Sequence, residues 1–440
     1  MPNQNAFSAC RRQWHDACQT ESIDSWQRYI RRLRTCDLLP FVADFGQLAD
    51  WDSGDQLTLS RWLTAMFQWG ERAVRARANS EHVPIRERLA LATFLALIDR
   101  FRELINRGVG RGSDGRVCLI YYTDLLQCAV LVGFQRVGGR IEIRSGLAIP
   151  KPHAYLDPVQ ALSYATTRAH VDLVKLALAG PVRLVAHRDV VVAVNRRTHA
   201  GVFGPTIDTL FLCDWLYSRI FIREGCEFPL PGDVPPSYTV DVLEVGCGNG
   251  MISASFVREI PAGMLRLEAI DIDPRAVLCT AETVQINSRE AIVGVPRSSG
   301  LTVAAFSAER YAGKFDYVVC NPPYIPMPET LLDQMDQSKL TTHGTDLIEA
   351  LIQSASELLK VTGQLIMVSS RLAEDDIAAA ARKAGLPFSV QTSRRVPFDI
   401  EDLQRDHLDW LRNLRGLDVD KNRSAFHEIA IYTIELPRER

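Results

Sequence analysis

At 440 residues, 47% hydrophobic and 23% charged, the chain has the composition of an ordinary globular protein of about two to three domains. A net charge of −3 gives no global basic field, which counts against non-specific binding of nucleic acid. The opening "MPNQNAFSACRRQWHDACQT" has no apolar h-region, no run approaches the ~18 apolar residues of a membrane span, and the ten cysteines form no C-x-x-C pair or histidine-rich cluster, so a cytoplasmic protein with reduced thiols and no metal is expected.

Residues 1 to about 110 read as helices. "IDSWQRYIRRLRTCDLLPFV" and "RERLALATFLALIDRFRELINRG" space apolar residues three and four apart with arginine between them, and the second ends credibly at Gly108. Residues 117–149 differ: Gly138-Gly139 between two β-like runs is a hairpin signal. Helical texture returns in "DPVQALSYATTRAHVDLVKLAL", with Asp157 as N-cap and Pro158 in the first turn. "RLVAHRDVVVAVN" is one or two strands, and "PLPGDVPPSY" has the composition of a connector. Strand and helix patterns then alternate. They run through "TVDVLEV", a helix near 251–259, "LRLEAID", a helix over 275–288, "LTVAAF" and "FDYVVC". A helix over 345–360, "GQLIMVSS", a helix over 373–384, "FSVQTS" and "HEIAIYTIEL" follow. Such alternation predicts a parallel sheet covered by helices on both faces.

Three motifs in this half carry chemistry. In "DVLEVGCGNGMISASFV" a hydrophobic strand ends at Val245, and Gly246, Cys247, Gly248, Asn249 and Gly250 turn tightly into a helix, with Glu244 just before them. Glycine lets the backbone bend there and approach a ligand. A nicotinamide fingerprint wants a third glycine at position 251, which is methionine, so the compact G-x-G-x-G fits an S-adenosylmethionine loop instead. One strand later, "LRLEAIDIDPRAV" places Asp271 at a strand's carboxyl end, where a carboxylate can accept from both ribose hydroxyls; Asp273 before Pro274 is the better helix cap. The third motif is "FDYVVCNPPYIPMPE". Pro322 and Pro323 stop the strand and pin Asn321 at its end. An amide or aryl-amine nitrogen is a poor nucleophile because its lone pair is delocalised. The Asn321 oxygen and the Pro322 carbonyl can hold its two hydrogens and aim it at a methyl sulfonium, while Tyr324 packs over the planar group.

Together with "GVFGPTIDTLFLCDWL" (201–216), these stretches resemble the class I methyltransferases, and within them the HemK/PrmC-type protein-glutamine branch. The resemblance covers roughly 195–440. It implies a Rossmann-like α/β fold, a seven-stranded sheet whose last strand is antiparallel, S-adenosylmethionine as methyl donor and a glutamine side-chain amide as acceptor. Pro205, Asp208 and Thr209 match the branch's P-x-x-D-T pattern, which implies Thr209 near the methionine end of the cofactor; helix capping by Asp208 is an equal alternative. The implied cofactor set is Glu244, Gly246, Cys247, Gly248, Asn249, Gly250, Asp271, Ile272, Phe306, Ser307, Asn321 and Thr209, and the acceptor set Asn321, Pro322, Pro323 and Tyr324.

The chain departs from this pattern in three places. "FSAERY" offers Ser307 and Glu309 out of register where the family has an aspartate for the adenine amino group. Residues 1–195 form an N-terminal, mainly helical domain with a β-hairpin, about twice the family's length and a candidate for substrate recognition. Residues of about 395–423 are a long insertion in the methyltransferase domain (196–440). Arg394, Arg395, Asp399, Trp410 and Arg415 there can read a substrate, although a solvated helical lid fits the composition better. The acceptor is a protein glutamine, or a small-molecule amide, amidine or guanidine. A nucleobase (adenine N6 or guanine N2) and a non-catalytic cofactor-binding scaffold are the alternatives, nucleic acid being disfavoured by the charge. Nothing suggests a membrane partner, and the oligomeric state stays open.

Overall fold

The computed structural model describes residues 101–437 apart from 110–114, 124–127, 151–157, 181, 188–189, 222–238, 261–263, 289–299, 304–305, 312–314, 329–343, 399–404, 415–416 and 420–424. The helices expected before residue 101, the connector around "PLPGDVPPSY", Asp157, Asp399 and Arg415 lie outside the described residues. By its internal contacts the chain divides into two units, Met1–Ala200 and Gly201–Arg440. No helix among the described residues is long and apolar enough to cross a membrane.

Gly138 and Gly139 both have positive φ, 53° and 81°, the backbone of a two-residue turn whose twist matches its flanking strands. They join β2 (Cys128–Val137) to β3 (Arg140–Pro150) in the expected antiparallel hairpin. The strands expected in "RLVAHRDVVVAVN" are present as two, but the region as a whole is less helical than expected. With β1 (Arg116–Thr123), β4 (Val182–His187) and β5 (Val190–Asn195) the hairpin forms a five-stranded sheet of order β3-β2-β1-β4-β5. The described part of the N-terminal unit is therefore built on a sheet rather than being mainly helical. A short apolar run such as "VCLIYY" carries no period that separates a strand buried on both faces from a buried helix. The helical run after Pro158 also breaks in two, α1 (Pro158–Ser163) and α2 (Arg168–Ala179). Thr167 begins the second helix, its hydroxyl accepting from the His170 N–H at 3.1 Å. His170, Leu173, Val174 and Ala177 are buried on one face of α2, which packs on β1, β2 and β3.

The second unit follows the predicted alternation. After α3 (Ile207–Leu216) come β6 (Val240–Val245), α4 (Met251–Glu259), β7 (Leu265–Asp271), α5 (Pro274–Asn287), β8 (Gly300–Val303) and β9 (Phe315–Cys320). The chain continues through α6 (Asp346–Gln353), α7 (Ala355–Leu358), β10 (Leu359–Ser370), α8 (Glu374–Ala384), β11 (Phe388–Phe398), α9 (Arg405–Leu411), β12 (Leu417–Val419) and β13 (Ala425–Glu435). The strand order is β11-β13-β10-β9-β6-β7-β8. Strands β10, β9, β6, β7 and β8 pair in parallel, and β13 runs antiparallel to both its neighbours. This is the expected seven-stranded sheet. Short β12 is an addition that pairs with the first residues of β13.

β6, "VDVLEV", is buried along its whole length, as a central strand covered on both faces must be. Its first half carries the sheet's charged anchor. Asp241 is buried and meets Arg266 Nε at 2.5 Å and Lys360 Nζ at 2.5 Å; Lys360 also meets Asp316 at 2.7 Å. These bridges tie β6, β7, β9 and β10 together at the end opposite the motifs. Asp241→Ala should therefore lower the melting temperature of the full chain, at a cost of about 1–3 kcal/mol. It should leave affinity for S-adenosylmethionine in calorimetry unchanged.

Candidate active site

Three paired residues locate the site. Val245 of β6 pairs with Ile270 of β7 on one side and Cys320 of β9 on the other. Gly246, Asp271 and Asn321 each follow one member of that row. Motifs scattered along the sequence thus meet at one level of the carboxyl edge of the sheet. The chain runs outward from β6 through β7 to β8 and returns on the other side at β9, which makes this the switch point where open α/β sheets bind ligands.

The glycines after β6 have two different reasons to be there. Gly246, Gly248 and Gly250 all have positive φ, 72°, 50° and 78°. A Cβ on Gly246 would meet nothing within 4 Å, and one on Gly248 only the Gly246 carbonyl at 3.9 Å. These two leave an open cradle. A Cβ on Gly250 would lie 2.7 Å from Thr280 Cα, so this glycine lets the start of α4 approach α5. The loop is stapled to its surroundings. The Ile270 carbonyl accepts from the N–H groups of Gly246 at 2.9 Å and Cys247 at 3.0 Å. The Thr280 hydroxyl donates to the carbonyls of Cys247 at 3.3 Å and Gly248 at 3.2 Å. Asn249 is buried, donates to the Phe203 carbonyl at 3.0 Å and accepts from the Met251 N–H at 3.0 Å. The Cys247 thiol is buried, and burial raises its pKa.

Asp271 stands half-buried at the end of β7 and accepts from the N–H groups of Gly248 and Asp273 at 3.0 and 2.9 Å. Each bond uses a different oxygen, so both keep acceptor capacity for further donors. Asp273 caps α5 as expected, accepting from the Arg275 N–H at 2.8 Å. Ile272 is 64% exposed, an aliphatic side chain presented beside the carboxylate. Phe306 packs against the core cluster under β9 and β10, while Ser307 and Glu309 are exposed beyond β8. Glu244 is buried and takes a hydrogen bond from the Ser253 hydroxyl. Burial is the main force that pushes its carboxyl pKa up to about 8, against the pull of the Ser253 bonds.

Around Asn321 the chain builds a hydrogen-bonded network with the start of α3. The Asn321 amide nitrogen donates to the Thr209 hydroxyl at 2.9 Å, and the Tyr324 hydroxyl donates to Asp208 Oδ2 at 2.9 Å. Asp208 Oδ1 accepts from the Thr209 N–H at 2.9 Å and from the Thr206 hydroxyl; the Thr206 and Thr209 hydroxyls are 3.1 Å apart. Thr206 occupies the N-cap position of α3. Asp208 serves the first helical turn through one oxygen and fixes the tyrosine through the other. The Tyr324 ring lies 6.2 Å from the ring of His427, which is buried, bonded to Ser370 at 2.8 Å and pushed down to about 4 by burial. Pro322 is buried, and Pro323 is partly exposed.

The insertion is fastened to the same segment. The buried His407 of α9 hydrogen-bonds the Pro326 carbonyl at 2.8 Å. Leu372, Phe398, Leu411 and Ala425 form a small core with Ile325 and Trp410 packed on it. α9 therefore has a packed face rather than being a helix solvated all round. Arg395 is exposed, pairs with Asp418 at 2.5 Å and lies over the Phe426 ring at 4.2 Å; Arg394 is partly buried.

Residues 230–378 match the family model of the methyltransferase small domain. The open glycine cradle and the carboxylate beyond β7 fit S-adenosylmethionine, and this unit is a class I S-adenosylmethionine-dependent methyltransferase domain. Its relatives are distant. A Methanocaldococcus jannaschii protein named as a candidate protein N5-glutamine methyltransferase is 27% identical over 169 residues, 36% of this chain and 77% of that one. Mouse methyltransferase HEMK2 is 27% identical over 179 residues, 40% of this chain and 75% of the other. Ribosomal RNA small subunit methyltransferase C of Escherichia coli is 31% identical over 133 residues, 30% of this chain. The chain spans only about a third of the length of that last relative, 34%.

The sequence left Thr206, Ser253, Thr280, His407 and His427 unassigned. Thr206 was findable, because "TIDT" before an apolar helix is a cap signal. The others are single polar residues in helices or a strand, and only contacts formed across the fold mark them.

Two predictions follow from this geometry. Gly248→Ala and Gly250→Ala both carry the strain of a left-handed backbone; Gly248→Ala should in addition weaken S-adenosylmethionine binding in calorimetry, and Gly250→Ala should lose about a further 1–3 kcal/mol of stability through overpacking on Thr280. Glu244 keeps its proton in the folded state from its ordinary 4.5 up to about 8, a window in which the unfolded chain has lost it. Stability therefore falls as pH rises across that window. Glu244→Gln should flatten the fall, narrowing the gap between melting temperatures measured at pH 5 and pH 8.5.

Proposed function

We propose that this enzyme methylates the nitrogen of a planar NH₂ group, and that the acceptor is an amide: a glutamine side chain on a protein or an amide-like group of a small molecule. The observation that carries the reading is the Asn321 carboxamide, held by Thr209 one residue beyond the row that also presents Gly246 and Asp271. Gly246 and Gly248 give backbone access to the cofactor, and Asp271 takes its ribose hydroxyls. Ile272 and Phe306 flank the adenine, with Ser307 at its edge; Glu244 and Thr209 stand toward the methionine end. Bound S-adenosylmethionine supplies the methyl: the acceptor nitrogen's lone pair forms the N–CH₃ bond as the S–CH₃ bond breaks, that bond's pair stays on sulfur, and the nitrogen releases one proton to solvent.

The chain's contribution is orientation. With its NH₂ turned to Thr209, Asn321 offers its oxygen to one hydrogen of the acceptor. The Pro322 carbonyl takes the other. Two accepted hydrogens fix the plane of the group and aim its nitrogen, the contribution expected of preorganised dipoles. Tyr324, tethered at its hydroxyl, supplies an apolar face for the same plane, and Pro323 stiffens the turn. The α9 helix of the insertion, packed beside Ile325 and bonded at Pro326, forms an acceptor-side wall. One relative supports a protein acceptor by name, the methanogen protein. The 31% identity to a ribosomal RNA methyltransferase supports a nucleobase as the second reading.

Incubation with methyl-tritiated S-adenosylmethionine and separated protein, RNA and metabolite pools distinguishes these readings. Label is expected in protein or metabolite; label in RNA alone would establish the second reading, and none in any pool would remove both. Asn321→Ala should reduce transfer about 100-fold or more while cofactor affinity changes by no more than about twofold.

A further inference from the structure

The network at the head of α3 has a direction, and that direction decides which end of Asn321 faces the acceptor. A carboxylate oxygen accepts and does not donate, so the bond between Thr206 and Asp208 Oδ1 uses the single hydroxyl hydrogen of Thr206. The contact between the Thr206 and Thr209 hydroxyls at 3.1 Å must then use the hydrogen of Thr209. With that hydrogen committed, Thr209 Oγ1 faces Asn321 as an acceptor only. Asn321 can satisfy it solely with its NH₂ group, the arrangement observed at 2.9 Å, and its oxygen is left for another donor. The Thr209 N–H, bonded to Asp208 Oδ1 at 2.9 Å, holds that oxygen at the origin of the series. Asp208 Oδ2 meanwhile accepts from Tyr324 at 2.9 Å, so one carboxylate governs both acceptor-facing residues.

We propose that Asp208, Thr206 and Thr209 are positioning residues that set the polarity of the Asn321 carboxamide, and thereby make the site selective for an acceptor that brings hydrogen-bond donors. This rests on the assignment of Asn321 to the acceptor. Its physical content is that the two ends of a carboxamide are nearly equal in shape and opposite in hydrogen bonding. A flipped Asn321 would set its own NH₂ against the NH₂ of the acceptor, donor against donor. Removing Thr206 from the series frees the Thr209 hydrogen to donate to the Asn321 oxygen, and both orientations then become available. The selectivity comes from a residue that need not touch the acceptor.

The test separates the hydroxyl of Thr206 from its shape. Thr206→Val keeps the shape and removes the donor; Thr206→Ser keeps the donor and trims the shape. Transfer is measured as the initial rate of tritium incorporation from S-adenosylmethionine into whichever pool the wild-type chain labels, alongside cofactor affinity by calorimetry. Thr206→Val should lower kcat about 10- to 100-fold with cofactor affinity kept within about twofold, and Thr206→Ser should restore most of it. Unchanged kcat in Thr206→Val overturns the proposal. So does equal loss in the serine variant, which would mean packing, or a parallel loss of cofactor affinity, which would mean the network serves the cofactor.

A readout independent of turnover is the side-chain amide of Asn321 in chain labelled with nitrogen-15 asparagine. In the wild type one amide proton should be shifted and slow to exchange, and in Thr206→Val that signature should vanish. Its absence from the wild type, or its persistence in Thr206→Val, also overturns the proposal. If the wild type labels no pool, the acceptor reading fails, while the amide signature still decides the polarity of Asn321.

Discussion

The register of three parallel strands is the constraint on which this site depends. Val245 pairs with both Ile270 and Cys320, and the Cys320 thiol donates to the Val245 carbonyl at 3.0 Å. Because side chains alternate faces along a strand, a slip by one residue in either pair would turn every side chain of that strand over. The near-continuous burial of β6 and of the second half of β9 makes such a slip costly. The charged anchor of Asp241, Arg266, Asp316 and Lys360 fixes the same strands from their other end. Precision at the carboxyl edge is inherited from packing elsewhere in the sheet.

Upon that frame the chain places groups that are expensive to bury and keeps each of them paired. Glu244 is buried beside the glycine loop with Ser253 as its partner. Asn249 uses its amide to join the segment before α3 to the loop. Asp208 takes three donors and connects α3 to the strand-end turn. Satisfied polar groups of this kind hold one geometry in place, because any displacement strands a buried donor or acceptor. The reading that follows is an enzyme whose catalytic strategy is orientation. Its prolines, glycines and hydroxyls matter for where they hold other groups.

The insertion between β11 and β13 illustrates how composition can mislead. "DIEDLQRDHLDWLRNLRG" is rich in charge and reads as a solvated helix, yet His407 and Leu411 are buried and the helix packs beside Ile325. Two apolar or uncharged positions four apart are enough to seat a short helix when a matching patch exists. That patch is assembled from Leu372, Phe398 and Ala425, three elements separated in sequence. In the N-terminal unit the hairpin at Gly138-Gly139 was legible because two adjacent positive-φ residues have a local cause. The five-stranded sheet around it was not, because pairing β1 in parallel with β4 joins segments more than sixty residues apart.

Local chemistry written in the sequence was sufficient for the alternation of strands and helices in the second unit apart from β12 and the break at Ser354, and for the glycine loop, the acidic strand end and the proline-locked Asn321. Each of these is dictated by backbone sterics or by the period of apolar residues, and neither needs distant information. Only the tertiary structure decided that Gly250 faces Thr280 while Gly248 faces open space, that Asp208 reaches Tyr324, and that Thr209 receives the amide of Asn321. Those outcomes depend on which strands and helices become neighbours, and a hydrogen bond between residues a hundred or more positions apart leaves no periodic trace in the chain that forms it.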